Sequence, residues 1–344
     1  MKRDLQLDSY RALAMLYIVC VIHIVYWFHV GNEPVRSAIL FEMPVIFFIA
    51  GASQSVRKTT DNLIQTLVNR TKRLLIPFYV FLFVLLLLVA LYRLLQKSSP
   101  LLPFSTGELI KMLCTGGNEQ IPYFGYTWFI SCYMMIGCSL PLQRKIFRHM
   151  PNGLYLLLAV AVFIIVSLIP LRTGNLEIKN IFVYNVFFLM GYFYYHRIPR
   201  KNLLFAFPAA VLICVAGFLT EWFIPMQDHK FPADAWFLLY GTCAVIVLST
   251  LFSHVTLPYN AILKLWNERG YTIYLYQSVS HFLLYKITND WIARLSSPGL
   301  TFIVYFILIF ILTTTLSFVT YPLERKVMNV FNHLVSDSRH EKNS

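Results

Sequence analysis

The chain has 344 residues, of which 58% are hydrophobic and only 13% are charged. This balance excludes a soluble globular domain and indicates an integral membrane protein. We interpret the formal net charge of +13 as a signal for membrane topology and for contact with anionic membrane lipid, and we predict no nucleic-acid partner.

Ten apolar stretches are each long enough to cross about 30 Å of hydrocarbon. They are residues 12–30, 37–54, 75–95, 126–143, 153–171, 178–195, 203–223, 235–252, 269–286 and 298–320. If the first span starts in the cytoplasm, most of the 29 Lys and Arg residues fall on the cytoplasmic side. The sequence therefore predicts an all-α fold, a polytopic membrane helix bundle of about ten transmembrane helices with cytoplasmic N and C termini.

The domain organisation is simple. Residues 1–330 form one integral membrane domain, and residues 331–344 form a short cytoplasmic tail. We expect the polar end of the chain after Glu324 to be frayed. The six cysteines are scattered and show neither a disulfide framework nor the spacing of metal ligands, so we predict no metal site and no permanently bound cofactor. The oligomeric state is left open.

The first span carries one imidazole, His23, twelve residues after Arg11. Ionisable groups at membrane depth are costly and usually functional. Glu42 lies near the outer end of the second span, so we expect it at a similar depth to His23. A histidine beside a carboxylate can act as a general base, although the pair could instead only lock two helices together.

Arg70 and Arg73 precede the third span and share one face if this stretch is helical. Guanidinium groups suit phosphate oxygens, so a phosphorylated cytosolic ligand such as coenzyme A could bind there. The alternative is that these basic residues only set the topology.

Two further polar groups belong to the last spans. Glu324 should lie near the level of Arg11, which predicts an ion pair between the first and last helices. His281 lies one helical turn after Gln277 in the ninth span, and the two could line a polar interior.

An ordered set of motifs extends over the whole chain. It consists of Leu-Asp-Ser-Tyr-Arg-Ala-Leu-Ala (7–14) with His23, Met-Pro-Val-Ile-Phe-Phe-Ile-Ala-Gly (43–51), Arg70 and Arg73 with Pro77, Thr-Trp-Phe-Ile (127–130), Phe-Phe-Leu-Met-Gly-Tyr (187–192), Gly-Tyr-Thr-Ile-Tyr-Leu (270–275) and Tyr-Pro-Leu-Glu (321–324). This set resembles the acyltransferase 3 family of bacterial membrane O-acyltransferases. The resemblance implies a multi-pass enzyme of the bacterial cytoplasmic (inner) membrane. Such an enzyme moves an acyl group, commonly acetyl, from cytosolic acyl-CoA, a co-substrate, to a hydroxyl of a cell-envelope glycan or lipid-linked sugar.

The resemblance also implies roles for residues. His23 becomes the general base, with Arg11 and Glu324 as the other catalytic residues, and Arg70 and Arg73 bind the phosphates of coenzyme A. We place the remaining candidates in the substrate site: Glu42, Trp128, Tyr274, Gln277 and His281.

Two positions depart from the family pattern. Relatives have ten residues between the arginine and the histidine, whereas eleven separate Arg11 from His23. The extra residue would turn His23 by about 100° in a regular helix, so we predict a π-bulge in the first span, or Arg11 lying outside the regular helix. At Gln277, where relatives often have histidine, the sequence predicts a difference in substrate choice.

Three alternatives remain open, and one of them is a purely structural or sensory membrane protein. Transfer could be direct or could pass through an acyl-histidine. A transporter or flippase of a lipid-linked sugar would also place polar residues within the membrane, but its expected broken helices and internal symmetry are not clear in the sequence.

Overall fold

The computed structural model describes residues 4–56, 63–115, 124–169, 172–173, 176–195, 200–292 and 297–340. The helices are α1 (Leu5–Tyr17), a π-helical segment (Ile18–Ile22), α2 (His23–Trp27), α3 (Glu33–Ala38), α4 (Glu42–Val56), α5 (Leu63–Leu95), α6 (Thr106–Thr115), a 3-10 turn (Gly125–Thr127), α7 (Trp128–Ile146), α8 (Asn152–Ser167), α9 (Ile178–Tyr194), α10 (Arg200–Leu219), α11 (Met226–Lys230), α12 (Ala235–Ser253), α13 (Ala261–Ile292) and α14 (Pro298–His340). The strands β1 (Arg172–Thr173) and β2 (Leu176–Glu177) form one short antiparallel pair. The fold is therefore helical, as the sequence predicts.

A helix lies at each of the ten predicted spans. Among the described residues, six helices are long and apolar enough to cross a membrane: Leu5–Trp27, Glu33–Val56, Leu63–Leu95, Asn202–Leu219, Ala235–Ser253 and Pro298–Asn332. This identifies a membrane protein, while the count of ten crossings and the orientation of the termini stay predictions.

The first helix begins at a defined cap. The side chain of Asp4 accepts a hydrogen bond of 3.0 Å from the backbone N–H of Leu7, which satisfies one of the free donors at the helix start. Buried small residues such as Ala12 and Ala14 then let α1 pack closely against its neighbours, α4 and α13. The candidate residues of the first span are thereby held at the centre of the bundle.

Helices α4 and α9 cross in close contact. A Cβ atom on Gly51 would lie 1.8 Å from the carbonyl oxygen of Phe188, and one on Gly191 would lie 1.9 Å from that of Phe48. The two backbones are therefore in contact, which only glycine permits at these positions.

Several helices extend beyond the predicted spans, α5 and α14 among them. α5 begins at Leu63, so the stretch with Arg70 and Arg73 is helical, as its suggested common face requires. α14 continues to His340, so the expectation of a frayed end directly after Glu324 was wrong for the described residues. The domain boundary at residue 330 stays a prediction, and residues 341–344 lie outside the described part of the chain.

Candidate active site

The π-helical segment lies between Arg11 and His23. The backbone N–H of His23 bonds the carbonyl of Ile18, five residues earlier, instead of the residue four earlier. This confirms the predicted bulge. Because the bulge absorbs one residue, the rotation from Arg11 to His23 falls from about 120° to about 20°, so both side chains leave the helix on one side.

His23 is held by the ninth predicted span. Its Nδ1 lies 2.6 Å from Oε1 of Gln277 on α13. An amide oxygen can only accept, so Nδ1 carries the proton and Nε2 carries the lone pair. The ring also stacks on Trp27 at a centroid distance of 4.3 Å and an angle of 3°. The imidazole is thus fixed in tautomer and in orientation, as a general base requires.

Three tyrosine and histidine rings surround this pair. The ring centroids of Tyr126, Tyr274 and His281 lie 5.7, 6.4 and 6.5 Å from that of His23. The hydroxyl of Tyr274 donates to the carbonyl of Tyr126 at 2.8 Å, which ties α13 to the 3-10 turn. The structure therefore brings together four of the predicted residues, namely His23, Tyr274, Gln277 and His281.

Exposure separates the two histidines. His23 is partly exposed, whereas His281 and Gln277 are both 0% exposed. Nδ1 of His281 lies 2.8 Å from the backbone carbonyl of Gln277, to which it donates. Of the two histidines, only His23 keeps part of its surface exposed.

Sequence reasoning missed Trp27 and Tyr126. Trp27 lies four residues after His23, a spacing that places two side chains on the same helical face and that could have revealed it. The hydroxyl of Tyr126 donates to the carbonyl of Leu275 and lies 3.2 Å from Oγ of Ser278, a pairing over about 150 positions that no local pattern shows.

The predicted pairing of His23 with Glu42 is wrong. Oε1 of Glu42 accepts a short hydrogen bond from Nζ of Lys230 on α11, and both side chains are buried. Oε2 of Glu42 has no partner among the described residues. The α11 segment folds back between two spans, so Lys230 reaches Glu42 across 188 positions.

Trp128 lies on the Glu42 side of the site. It stacks on Tyr184 at 5.6 Å and meets Phe231 edge-on at 5.0 Å. The Nζ atom of Lys230 lies 5.3 Å from the centroid of that same Phe231 ring. Trp128 is thus beside the ion pair, and the described ring contacts of His23 do not include it.

The predicted ion pair between Arg11 and Glu324 is also wrong. Arg11 instead contacts Asp8 at 3.2 Å, Asn267 at 3.2 Å and Ser53 at 2.5 Å, which joins α1, α13 and α4. Oε2 of Glu324 accepts from Thr272 at 2.6 Å, and Oε1 has no partner among the described residues.

α13 shows how far apart these groups lie. Arg11, Glu324 and His23 contact its residues Asn267, Thr272 and Gln277 respectively. At 1.5 Å per residue, the first and last contact points are about 15 Å apart along the helix. The structure does not gather the three residues around one reacting atom.

The two arginines of α5 differ in their surroundings. Arg70 is buried, and its guanidinium lies against Gly137 of α7, where a Cβ atom would be 1.9 Å from Nη1. The ring centroid of Tyr133 is 5.8 Å from Cζ of Arg70, and the described part of the chain supplies no carboxylate within 4.0 Å. Arg73, one turn later, is exposed.

No group of three or more His, Cys, Asp or Glu side chains is placed to hold a metal ion among the residues that the structure describes.

Comparison with known families identifies the family of this chain. A family model described as an acyltransferase domain, of the acyltransferase 3 type, matches residues 4–322. The chain belongs to the acyltransferase 3 family. No curated protein and no solved structure matches it. The matched region contains every candidate residue except Glu324, which lies two positions after its end. The family and the apolar helices together identify a membrane acyltransferase.

Proposed function

We propose that this acyltransferase uses acyl-CoA, commonly acetyl-CoA, to O-acylate a hydroxyl of a cell-envelope glycan or lipid-linked sugar at the bacterial cytoplasmic (inner) membrane. The observation that carries the proposal is the hydrogen bond from Nδ1 of His23 to Oε1 of Gln277. It leaves Nε2 as the basic atom of the imidazole of a partly exposed residue.

In the proposed reaction, Nε2 of His23 takes the proton of the acceptor hydroxyl as its oxygen attacks the thioester carbon. The carbon–sulfur bond then breaks, and the imidazolium returns the proton to the sulfur of coenzyme A. An ester and a free thiol are the products, so atoms and charge balance. Gln277 keeps the imidazole in one tautomer through both proton transfers and need not touch the substrate.

The donor site of the proposal lies toward the start of α5. Arg70 and Arg73 project from adjacent turns, and phosphate oxygens of coenzyme A would be natural partners for their guanidinium groups. Arg70 has no carboxylate within 4.0 Å among the described residues. The pantetheine arm would then have to extend along α13 toward Gln277. Arg11 and Glu324 contact α13 on this course, so we assign them to the donor path instead of the reacting atoms.

The decisive experiment measures label transfer. The purified protein in lipid nanodiscs is incubated with acetyl-CoA radiolabelled in the acetyl group and with envelope glycans. General-base catalysis contributes about 10²–10⁴-fold, so His23→Ala should reduce transfer by at least about 10²-fold. His149→Ala, which removes an exposed imidazole after α7, is the matched control and should transfer label normally. Undiminished transfer by His23→Ala would refute the assignment.

The same experiment tests the transporter alternative, which predicts no labelled glycan under any condition. Mass spectrometry of surface polysaccharides from cells with and without the protein then identifies the group transferred and the acceptor. A missing acetyl or succinyl mass would identify both.

A further inference from the structure

A large apolar cleft lies between α1, α4, α10 and α12, next to the proposed active site but separate from His23. Its volume is about 1310 Å³. Its walls are mostly hydrophobic and include Leu13, Leu16, Val45, Phe48, Leu203 and Ile246. Such a cleft within a membrane bundle fits a hydrocarbon ligand.

The length of the cleft follows from the residues of the first helix that line it. They run from Gln6 to Val21, fifteen positions, which is about 22 Å at 1.5 Å per residue. One leaflet is about 15 Å of hydrocarbon, half of the core. A hydrocarbon chain that fills the cleft is therefore longer than one leaflet is thick. Because residues of several helices line the cleft, this hydrocarbon chain would lie between helices instead of along the outside of the bundle.

A buried carboxylate lies at one end of the cleft, and one of its oxygens lacks a described hydrogen-bond donor. Glu42 lines this end and is 4% exposed. Oε1 of its carboxylate bonds Lys230, whereas Oε2 has no partner among the described residues. A buried carboxylate oxygen calls for a donor, and a hydroxyl on the occupant of the cleft would supply one.

This polar end lies close to the proposed reaction. Val21, which lines the cleft, belongs to the π-helical segment, and His23 follows two residues later on the side that faces Gln277. A head group bound at Glu42 would therefore lie beside the helix that carries His23.

We infer that the cleft holds the hydrocarbon chain of a hydroxyl-bearing membrane lipid, the lipid-borne form of the acceptor, and that a head-group hydroxyl donates to Oε2 of Glu42. The inference rests on the proposed function, which leaves a free glycan and a lipid-linked sugar as alternatives. It selects the second, because a water-soluble glycan has no chain for the cleft.

The test uses an alkyl glucoside with a diazirine in its alkyl chain, added to the full-length protein in nanodiscs without acyl-CoA. After illumination, mass spectrometry of peptides maps the adducts. We expect adducts on cleft residues of α1 and α12 such as Leu16 and Ile246. Unlabelled alkyl glucoside should displace them, and the same compound with all hydroxyls methylated should compete at least tenfold more weakly, because it cannot donate to Glu42. In Glu42→Gln this difference between competitors should shrink.

Tryptophan substitutions inside and outside the cleft provide the test variants and their control. Ala206→Trp places an indole inside it and should reduce the adducts at least fivefold, and Ser249→Trp should do the same from another helix. Ala161→Trp adds the same side chain to the exposed face of α8, outside the cleft, and should change nothing. Each variant must elute as a single folded species.

Adducts spread over exposed residues such as Leu212, and insensitive to both cleft variants, would mean ordinary boundary lipid and would overturn the inference. The photolabelling pattern does not depend on acyl transfer, so it can be interpreted even if no acyl transfer is observed. If transfer is observed, Ala206→Trp should reduce it with the alkyl glucoside and not with water-soluble methyl glucoside, and equal loss with both would also contradict a lipid-chain site.

Discussion

Oε1 of Gln277 lies 2.6 Å from Nδ1 of His23, and this contact joins two helices whose contacting residues are 254 positions apart. Gln277 is 0% exposed while His23 is partly exposed, so the glutamine contacts the imidazole from the buried side. This arrangement assigns a positioning role to a residue that the sequence suggested only as part of the substrate site.

The first prediction concerns that role. Gln277→Ala should lower kcat by about 10²-fold, the lower limit of a general-base contribution, and should leave KM nearly unchanged. Gln277→Glu keeps an acceptor oxygen and should restore much of the rate. Steady-state kinetics of label transfer separate the two parameters, and a rise in KM alone would return Gln277 to the substrate site.

The second prediction concerns the π-helical segment. Deleting Val19 should convert this segment into regular α-helix and keep His23 directed at Gln277, so transfer should persist within a few-fold. Inserting an alanine after Val21 should instead turn His23 by about 100° and abolish transfer. Activity is measured beside thermal unfolding of each variant, and an active insertion mutant would show that the direction of His23 does not matter.

The third prediction concerns donor binding. Arg70→Ala and Arg73→Ala should each weaken binding of coenzyme A by at least about tenfold, because one charge-assisted hydrogen bond contributes about 1.5–3 kcal/mol. Calorimetry with the purified variants measures the affinity. Arg148→Ala, at an exposed basic position after α7, is the control. Unchanged affinity in both α5 variants would rule out the phosphate site.

The fourth prediction concerns the buried ion pair. Lys230→Ala leaves the carboxylate of Glu42 without its only described partner, which costs about 3–5 kcal/mol in a buried pair. The double variant Lys230→Met with Glu42→Gln should regain most of the lost stability. Thermal unfolding in detergent measures both, and equal losses in the single and double variants would mean that the charge is not the cause.

The fifth prediction concerns the crossing of α4 and α9. Gly191→Ala would place a Cβ atom 1.9 Å from the carbonyl oxygen of Phe48, so the helices must move apart. Overpacking of this kind costs about 1–3 kcal/mol. Gly107→Ala, where the nearest atom is 4.0 Å away, should be neutral in the same unfolding assay.

Much of the fold was predictable because hydropathy and spacing are local properties of the chain. Each predicted span coincides with a helix. The bulge before His23 was predictable as well, since one extra residue relative to the family spacing has to be absorbed within a few turns.

The partners of the buried charges were not predictable in the same way. Counting residues placed Glu42 at the depth of His23, but depth does not specify the rotation of a helix about its axis. The carboxylate is paired with Lys230 instead, from a short helix that the hydropathy pattern treats as a loop. An ion pair of Arg11 with Glu324 was likewise predicted from depth, but each of the two residues hydrogen-bonds a different residue of α13.

By itself, the sequence determined a helical membrane protein of the acyltransferase 3 type, the positions of its helices and the need for a π-bulge in the first one. Only the tertiary structure decided that His23 meets Gln277, that Glu42 meets Lys230, and that an apolar cleft ends at Glu42. The physical reason is that hydrophobicity and residue count act along one helix, whereas the contacts between helices depend on how their packed surfaces rotate and tilt against one another.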